Sequence, residues 1–272
     1  MKIFTTAKMC FHGLRARHPD IFIAGFQKCG TTSLYDWLSK SPSLTTGSTK
    51  ENNILASYPR RKLLYLSQFP LRKHARRTFC GSHQFGFVPS GSASIKKHFP
   101  LARVVFVVRD PVARAVSRYL DNMRKVSSRQ FDPKYADSFE SIVTKEMEFY
   151  RSCGEHISVE QIHSFCASES PFGYPVGRGL YFPYIRSFSE KRLSICVTSL
   201  ELIKKDFDLE FGRICSFLDI ERPKLVKPVA SNSRPDSTSV EIAEKTLEQL
   251  RQFYRPYNLA LENWVGRGLF DL

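Results

Sequence analysis

A chain of 272 residues with 42% hydrophobic and 25% charged residues has the composition of a globular protein, which excludes disordered and fibrous classes. The 41 Lys and Arg against 26 Asp and Glu leave a net charge of +15, which favours anionic partners: nucleic acid, a membrane surface, a nucleotide or an acidic polysaccharide. The sequence contains no apolar run of the roughly 18 residues that a membrane-spanning helix needs, and lysines interrupt the N-terminal segment where a signal peptide would be apolar. We therefore expect a soluble chain.

The seven cysteines show no paired Cys-x-x-Cys spacing, so the sequence predicts no metal site. Their odd number leaves at least one thiol unpaired. Cys153 and Cys166 flank a polar stretch and could form a disulfide in an oxidising compartment, while two free thiols are the alternative.

The first predicted element is a buried strand followed by a turn and a helix. The apolar run Ile21–Gly25 leads into a turn over 26–30, and Leu34 and Trp37 then recur at helical spacing within 31–39. This strand, turn and helix form the usual setting of a phosphate-binding loop.

The turn itself has the glycine spacing of such a loop, Gly-Phe-Gln-Lys-Cys-Gly-Thr-Thr over 25–32. Backbone N–H groups can hold an anion there, and the hydroxyls of Thr31, Thr32 and Ser33 add donors. Thr31 replaces the lysine that reaches the β- and γ-phosphates of ATP, so the pattern favours a nucleotide with one 5′-phosphate and a leaving group. Lys28 would stabilise charge on the bridging oxygen as its bond breaks. A glycine turn with a solvated lysine is the alternative.

Two segments, 45–79 and 123–175, are rich in Lys, Arg, Ser and aromatic residues and show weak periodicity. We interpret both as insertions that lie over the active face. Between them, the β-branched run Arg103–Val108 predicts a strand that is covered on both faces.

The residues after this second strand are suited to a second anion site. Arg109 follows the strand directly, Pro111 is placed to open a helix, and Ser117 comes two turns later. Arginine offers a planar pair of donors to a phosphate, and a serine hydroxyl can add a third. A salt bridge for Arg109 and a surface position for Ser117 are the alternatives.

The last predicted elements are a strand over 193–197, an amphipathic helix over 209–218 and a helix over 240–254. Strands that alternate with helices predict an α/β protein with a three-layer, P-loop-like fold, in which a central parallel sheet is flanked by helices. Ligands in such folds bind outside the carboxyl ends of the strands. The sequence contains no signature of a helix-turn-helix, zinc finger or RNA-binding domain, so we do not expect a nucleic acid partner.

Together, Gly-x-x-Lys-x-Gly-Thr-Thr after the first strand and Arg-Asp-Pro-Val-x-Arg-x-x-Ser-x-Tyr after a later strand resemble two motifs of the sulfotransferase family. The resemblance covers a domain over 19–266 and leaves 1–18 as an N-terminal extension. The pattern is most similar to Golgi carbohydrate sulfotransferases that act on glycosaminoglycans, namely the heparan sulfate group and the N-acetylgalactosamine 4-sulfate 6-O-sulfotransferase group. The blocks 177–181, 217–218 and 253–258 also look like later blocks of this family.

The resemblance implies a cosubstrate, 3′-phosphoadenosine 5′-phosphosulfate (PAPS), a product, 3′-phosphoadenosine 5′-phosphate (PAP), and no metal. It implies that the 5′-phosphosulfate is held by residues of the first motif: Lys28, Cys29, Gly30, Thr31, Thr32 and Ser33. Arg109 and Ser117 would hold the 3′-phosphate, and Arg234 would contact the cofactor from a late loop. Glu51 would be the general base, and Lys50 beside it would stabilise charge.

The sequence departs from the family on the acceptor side. The family continues its Lys-Glu pair with Pro-His and two aromatic residues, whereas this chain has Asn-Asn-Ile-Leu over 52–55. A family lysine before the second strand is replaced, with His83 near its position. Cofactor residues are thus retained, and acceptor-side residues are changed.

The sequence therefore predicts transfer of the sulfuryl group from PAPS to a hydroxyl of a carbohydrate, with an anionic polysaccharide such as a glycosaminoglycan as acceptor. A non-catalytic polyanion-binding protein on the same fold and a P-loop kinase are the alternatives. By resemblance the protein would act in the Golgi lumen, although no anchor is visible in this sequence, and a cytoplasmic location is the alternative.

Overall fold

The computed structural model describes residues 2–73, 76–128, 130, 137–154, 156–169, 175–224 and 241–270. Arg234 lies outside these ranges. The chain forms two compact units. The first unit comprises Met1–Val107 and Ile185–Asn232, and the second comprises Val108–Tyr184 and Ser233–Leu272.

The first unit is built on a parallel sheet of five strands. In chain order the strands are β1 (Ile21–Gly25), β2 (Leu44–Thr46), β3 (Arg77–Gly81), β4 (Arg103–Val108) and β5 (Ser194–Ser199). Their order in the sheet is β2-β3-β1-β4-β5, so β1 lies at the centre. Every residue of β1 is buried because the helices cover both faces of the sheet. The predicted fold class is confirmed.

Most helices of the described chain belong to the first unit. They are α1 (Lys2–Arg15), α2 (Thr31–Leu38), α3 (Ile54–Ser57), α4 (Lys62–Leu66), α5 (Gln84–Phe87), α6 (Ser90–His98), α11 (Leu200–Lys205) and α12 (Phe207–Leu218). The predicted N-terminal extension contains α1, which packs on α4 so closely that a Cβ on Gly13 would lie 2.1 Å from the carbonyl oxygen of Leu63. The contact therefore requires glycine at this position.

The second unit is helical. It contains α7 (Pro111–Ser127), α8 (Phe139–Ser152), α9 (Val159–Glu169), a single 3₁₀ turn (Gly177–Gly179) and α13 (Glu244–Val265), and α10 (Tyr181–Glu190) includes the boundary between the units. The start of α7 follows from its sequence, because Pro111 occupies the first turn and the side chain of Asp110 accepts a hydrogen bond of 2.7 Å from the N–H of Ala113.

Three sequence interpretations need correction. The segment 45–79 is not an insertion, since it supplies most of β2 and the first three residues of β3. These strands were missed because they are short and contain Thr, Arg and Gly in place of a continuous apolar run.

The predicted 193–197 strand occupies Ser194–Ser199, and the predicted 240–254 helix continues as α13 to Val265. Pro256 lies inside α13 without ending it, because the turns beyond it bury Asn258 and Leu261.

Candidate active site

The phosphate-binding loop leads from the buried strand β1 to α2. Lys28 and Gly30 both have left-handed backbone conformations, with φ of 69° and 87°. Gly30 also packs closely, since a Cβ there would lie 2.9 Å from a side-chain carbon of Leu200. Lys28 is half-buried, whereas the side chain of Cys29 is fully buried and its backbone N–H donates to the carbonyl oxygen of Phe26 at 3.3 Å. The thiol and the backbone N–H of Cys29 are thus both engaged by carbonyl oxygens of the loop itself.

The hydroxyl-bearing residues begin the helix. Thr31 and Ser33 are buried in the first turn of α2, which has eight residues, and Thr32 is half-buried. The free N–H groups of a helix N-terminus attract anions, and no acidic residue occupies this first turn. The loop therefore has the chemistry of a phosphate site.

A polar chain connects this loop to the predicted base. The ammonium group of Lys50 donates to the hydroxyl oxygen of Thr32 at 2.6 Å. The same ammonium lies 3.3 Å from Oε1 of Glu51, and Nδ1 of His83 lies 2.9 Å from Oε2 of Glu51. The side chain of Glu51 is 38% exposed, so a substrate in solvent can reach it. The structure thus brings Thr32, Lys50, Glu51 and His83 together.

Neighbouring residues hold this chain in place. The buried side chain of Asn52 donates to the carbonyl oxygen of Tyr65 at 3.1 Å. The side-chain oxygen of Asn53 accepts a hydrogen bond of 2.5 Å from the hydroxyl of Ser82. The asparagines that replace the family's Pro-His pair therefore anchor the segment that carries Glu51.

His83 is positioned by α5. This short helix packs on the end of β1 so closely that a Cβ on Gly86 would lie 2.3 Å from the carbonyl oxygen of Ala24. The imidazole of His83 packs edge-on against the ring of Phe87, with 6.0 Å between centroids. His83 comes 32 positions after Glu51 in the sequence, so its contact with the carboxylate depends on this packing.

The electrostatics of Glu51 follow from these neighbours. Partial burial by itself would raise the pKa of Glu51, but the hydrogen bond and charge of His83, followed by the charge of Lys50, outweigh it. The net effect lowers the pKa of Glu51 below its ordinary value. The carboxylate is therefore ionised at neutral pH and able to accept a proton.

The second unit contains a cleft of about 350 Å³ at the start of α7. Its lining includes Arg109 and Ser117, the two residues predicted for the second anion site. The other residues that line it come from α7 and its cap and from α13: Asp110, Val112, Ala113, Val116, Leu120, Arg124, Leu247 and Arg251. The carbonyl oxygen of Arg109 accepts a hydrogen bond of 2.9 Å from the hydroxyl of Tyr181, which fixes the backbone there.

Sequence reasoning missed Arg124 and Arg251 in this cleft. Arg124 lies seven positions after Ser117, about two helical turns, so helical periodicity could have placed it on the same face of α7. Arg251 comes from α13, and no sequence pattern connects it to Arg109. Three arginines and a serine hydroxyl line the cleft, and this set of donors suits a phosphate group.

A second glutamate, Glu146, is fully buried in the second unit. Its carboxyl oxygens accept hydrogen bonds from the N–H groups of Val176, at 2.9 Å, and Gly177, at 2.7 Å. The hydroxyl of Tyr254 donates to the carbonyl oxygen of Val176 at 2.8 Å. Burial raises the pKa of Glu146 to about 8, although these N–H groups and the charge of Arg114 oppose the rise. Glu146 therefore holds the turn that begins the predicted 177–181 block.

Within the described ranges, no group of three or more His, Cys, Asp or Glu side chains has an arrangement that could hold a metal ion. The helices of the same ranges include none that is both long and apolar enough to cross a membrane. Cys153 is a free thiol.

Comparisons with known proteins found similarity in sequence and in fold. The family model described as the sulfotransferase domain matches residues 18–255. Heparan sulfate glucosamine 3-O-sulfotransferase 3A1 of Mus musculus is 26% identical over 259 residues, which are 92% of this chain and 63% of that protein. Carbohydrate sulfotransferase 15 of Homo sapiens is 23% identical over 303 residues, which are 89% of this chain and 52% of that protein. This chain thus matches less than two thirds of the length of these relatives.

Among solved structures, a sulfotransferase from Alicyclobacillus acidocaldarius superposes with a TM-score of 0.69. The match covers 93% of this chain and 98% of that chain, with 22% sequence identity. At this identity the similarity is evidence for the fold.

Proposed function

This chain belongs to the sulfotransferase family, and we propose that it transfers the sulfuryl group of PAPS to a hydroxyl group of a carbohydrate. The observation that carries the proposal is the polar chain from Thr32 of the phosphate loop through Lys50 to Glu51. It links a group that would hold the donor to a group that would activate the acceptor. We also propose 19–266 as the sulfotransferase domain.

The residues of the first unit fit the 5′-phosphosulfate of PAPS. The start of α2 offers free N–H groups, and Lys28 supplies a cation inside the loop. Thr31 in place of a loop lysine disfavours the β- and γ-phosphates of ATP, which argues against a kinase. PAPS, when bound, would supply a sulfuryl group with PAP as its leaving group.

The residues of the second unit that line the cleft fit a phosphate. We propose that Arg109 and Ser117 hold the 3′-phosphate, as the resemblance implies, with Arg124 on the same face of α7. Arg251 lines the cleft as well, but its guanidinium is paired with Glu244 and Glu248. Arg234 remains a proposed cofactor contact from sequence alone.

The reaction is then a direct in-line displacement. The acceptor oxygen forms a bond to sulfur while the bond from sulfur to the bridging oxygen breaks, and that oxygen keeps the electron pair. Lys28 stabilises the negative charge that develops on the bridging oxygen. Glu51 accepts the proton of the acceptor hydroxyl, and Lys50 stabilises charge beside it.

His83 has a supporting role in this proposal. Its contact with Oε2 of Glu51 fixes the orientation of the carboxylate and leaves the other oxygen beside Lys50. It occupies the acceptor side, where the chain departs from the family sequence. The Glu51–His83 pair supports an active enzyme over a non-catalytic polyanion-binding protein, because a binding protein needs no oriented base.

The acceptor that we propose is an anionic polysaccharide of the glycosaminoglycan class. The net charge of +15 supports this class. The names of the relatives support it as well, since one is a heparan sulfate glucosamine 3-O-sulfotransferase and another is a carbohydrate sulfotransferase. Such acceptors imply action in the Golgi lumen.

The direct test is transfer of ³⁵S-labelled sulfate from PAPS to heparan sulfate, chondroitin sulfate and their desulfated forms. We expect label in at least one polysaccharide and formation of PAP. Binding of PAP without transfer to any acceptor would instead indicate the non-catalytic protein. Transfer of ³²P from ATP with Mg²⁺ would indicate the kinase.

A further inference from the structure

The first unit carries a strongly basic surface away from Glu51. We call it the Lys62 face and define it by side chains on and next to the ring of Phe99: His18, Lys62 and His98 at the ring, Arg72 beside His18, and Lys97 beside His98 at the end of α6. The imidazole of His18 lies edge-on to Phe99 with 5.7 Å between centroids, and the ammonium of Lys62 lies 5.7 Å from the centre of the same ring. A guanidinium nitrogen of Arg72 lies 3.5 Å from Nε2 of His18.

The segment 58–62 extends this surface. Tyr58 is 56% exposed, and the guanidinium of Arg61 stacks on its ring at 4.8 Å. Arg60 is also exposed. The segment is held to the face by His98, whose Nε2 lies 3.1 Å from the carbonyl oxygen of Pro59. Two further cations, Arg60 and Arg61, and an exposed aromatic ring thus lie next to the Lys62 face.

The charges of this surface are not neutralised by neighbouring carboxylates. In the part of the chain that the structure describes, no carboxylate lies within salt-bridge distance of five of its cations: Arg60, Arg61, Lys62, Arg72 and Lys97. By contrast, Arg251 in the cleft of the second unit pairs with two glutamates. The nearby Asp20 is engaged by Arg17.

The pKa values of the two histidines on this surface respond to burial and to the cations beside them. Burial, followed by the charge of Lys62, lowers the pKa of His18. Burial lowers the pKa of His98 as well, and the charges of Lys62 and Lys97 add to the effect. Burial is the largest cause of both shifts, and the smaller effect of Lys62 on both imidazoles shows that its charge lies close to the ring of Phe99.

The Lys62 face is separate from the candidate active site. His18 precedes β1 and Phe99 precedes β4, so the face lies at the amino ends of the parallel strands. Glu51 contacts the loop at the carboxyl end of β1 through Lys50 and Thr32. The helix α6 leads from the α5 side to this face, and its nine residues rise about 13 Å.

We propose that the Lys62 face and segment 58–62 form a second binding site for a sulfated polysaccharide. The proposal rests on the proposed function in one respect, since the polysaccharide bound here would be the acceptor of the reaction. One part of the polysaccharide would react near Glu51 while a distant part is held on the Lys62 face. Sulfates and carboxylates repeated along such a chain match cations spread over an exposed surface, and a sugar ring can pack on Tyr58. A single nucleotide would need a concave pocket instead.

Two variants with the same change in net charge test the proposal in the full chain. One replaces Arg60, Arg61 and Lys62 with Gln, and the control replaces three exposed lysines of the first unit with Gln: Lys191, Lys204 and Lys205. Thermal unfolding checks that both variants fold. Dissociation constants for short and long fluorescent heparin oligosaccharides are measured without PAPS, over a range of salt concentrations.

We expect the first variant to bind long oligosaccharides at least roughly tenfold more weakly, with a smaller salt dependence because fewer counterions are released. The control should bind like the wild type. Equal weakening in both variants, or none in the first, would overturn the proposal. So would tighter binding of duplex DNA or phosphatidylserine vesicles than of heparin, since the partner would then be another class of polyanion.

A transfer assay separates this proposal from the proposed function. With labelled PAPS, the first variant should show an increased KM for long acceptors and an unchanged kcat for short ones. A lowered kcat for short acceptors would place the segment in the active site and overturn the proposal. If the wild type transfers to no acceptor while the difference in heparin binding persists, the proposed function fails and the binding site stands.

Discussion

Glu51 and Glu146 lie in different surroundings, and their pKa values shift in opposite directions. Glu51 is partly exposed in the first unit, where His83 and Lys50 lower its pKa. Glu146 is fully buried in the second unit, where burial raises its pKa to about 8. Cationic neighbours outweigh partial burial in the first case, and complete burial outweighs backbone hydrogen bonds in the second.

This difference in burial and pKa distinguishes a carboxylate that can take part in chemistry from one that supports the structure. An ionised, accessible carboxylate can take a proton from a substrate, whereas a buried carboxyl group bound to the N–H groups of Val176 and Gly177 cannot meet one. These surroundings fit the proposed role of Glu51 in proton transfer and a structural role for Glu146. Substitutions at and around these residues test that assignment.

The largest effect is expected from Glu51→Gln. The substitution keeps the size of the side chain and removes the base, so kcat should fall by roughly a hundred- to ten-thousandfold. The affinity for PAP and the melting temperature should stay near those of the wild type. Wild-type turnover should persist as the pH falls until it passes below the ordinary pKa of a glutamate, because the pKa of Glu51 is lowered.

His83→Gln serves as the companion variant for Glu51→Gln. Glutamine can still donate a hydrogen bond to Glu51 but carries no charge, so we expect a smaller loss of kcat than for Glu51→Gln. Near-normal transfer by Glu51→Gln would assign the base to another group, and His83 would be the next candidate.

A smaller loss is expected from Lys28→Ala, measured as kcat and as affinity for PAP. In the proposed reaction the charge of Lys28 acts mainly when the bridging oxygen becomes negative, so turnover should fall by about a hundredfold while PAP affinity changes much less. Unchanged turnover would show that Lys28 only faces solvent. An equal loss in both quantities would assign it to ground-state binding.

The smallest effect on turnover is expected from Glu146→Gln, whose readout is stability. Between the ordinary glutamate value of 4.5 and the folded pKa of about 8, the folded state binds more protons at this group than the unfolded state. The free energy of unfolding of the wild type should therefore fall as pH rises through this window, by up to about 1.4 kcal/mol per pH unit from this group. Urea unfolding of both proteins from about pH 5 to pH 8 measures it.

In the glutamine variant this contribution is absent. The free energy of unfolding of the wild type minus that of the variant should therefore decrease as the pH rises through the window. A difference that stays constant across the window would mean that Glu146 is ionised in the folded protein. A large loss of turnover in a folded Glu146→Gln would contradict the separation of the two glutamates.

The sequence predicted the strands whose own residues are apolar enough to indicate that they are buried. Ile21–Gly25 and Arg103–Val108 are continuous apolar runs, and the structure has strands with these bounds. β2 and β3 were missed because Thr and Arg positions in them look like loop residues until neighbouring strands cover them. Pairing in a sheet is a property of the fold and not of a five-residue segment.

The candidate site divides in the same way. The phosphate loop and Arg109 were predicted because each follows a strand in a recognisable spacing. The contact between His83 and Glu51 was not predicted, because it depends on the packing of Gly86 against Ala24. Arg251 was missed because it enters the cleft from α13, far along the chain from Ser117.

The most direct test of the account compares the affinities of PAP and of AMP, which lacks only the 3′-phosphate. Isothermal titration with the wild type and with Arg109→Ala gives the four dissociation constants. One phosphate held by charge-assisted hydrogen bonds contributes about 1.5–3 kcal/mol, so the wild type should prefer PAP by roughly ten- to a hundredfold. Arg109→Ala should lose most of that preference. Equal affinity for AMP and PAP in the wild type, or tighter binding of ATP with Mg²⁺ than of PAP, would contradict the assignment of this chain's nucleotide.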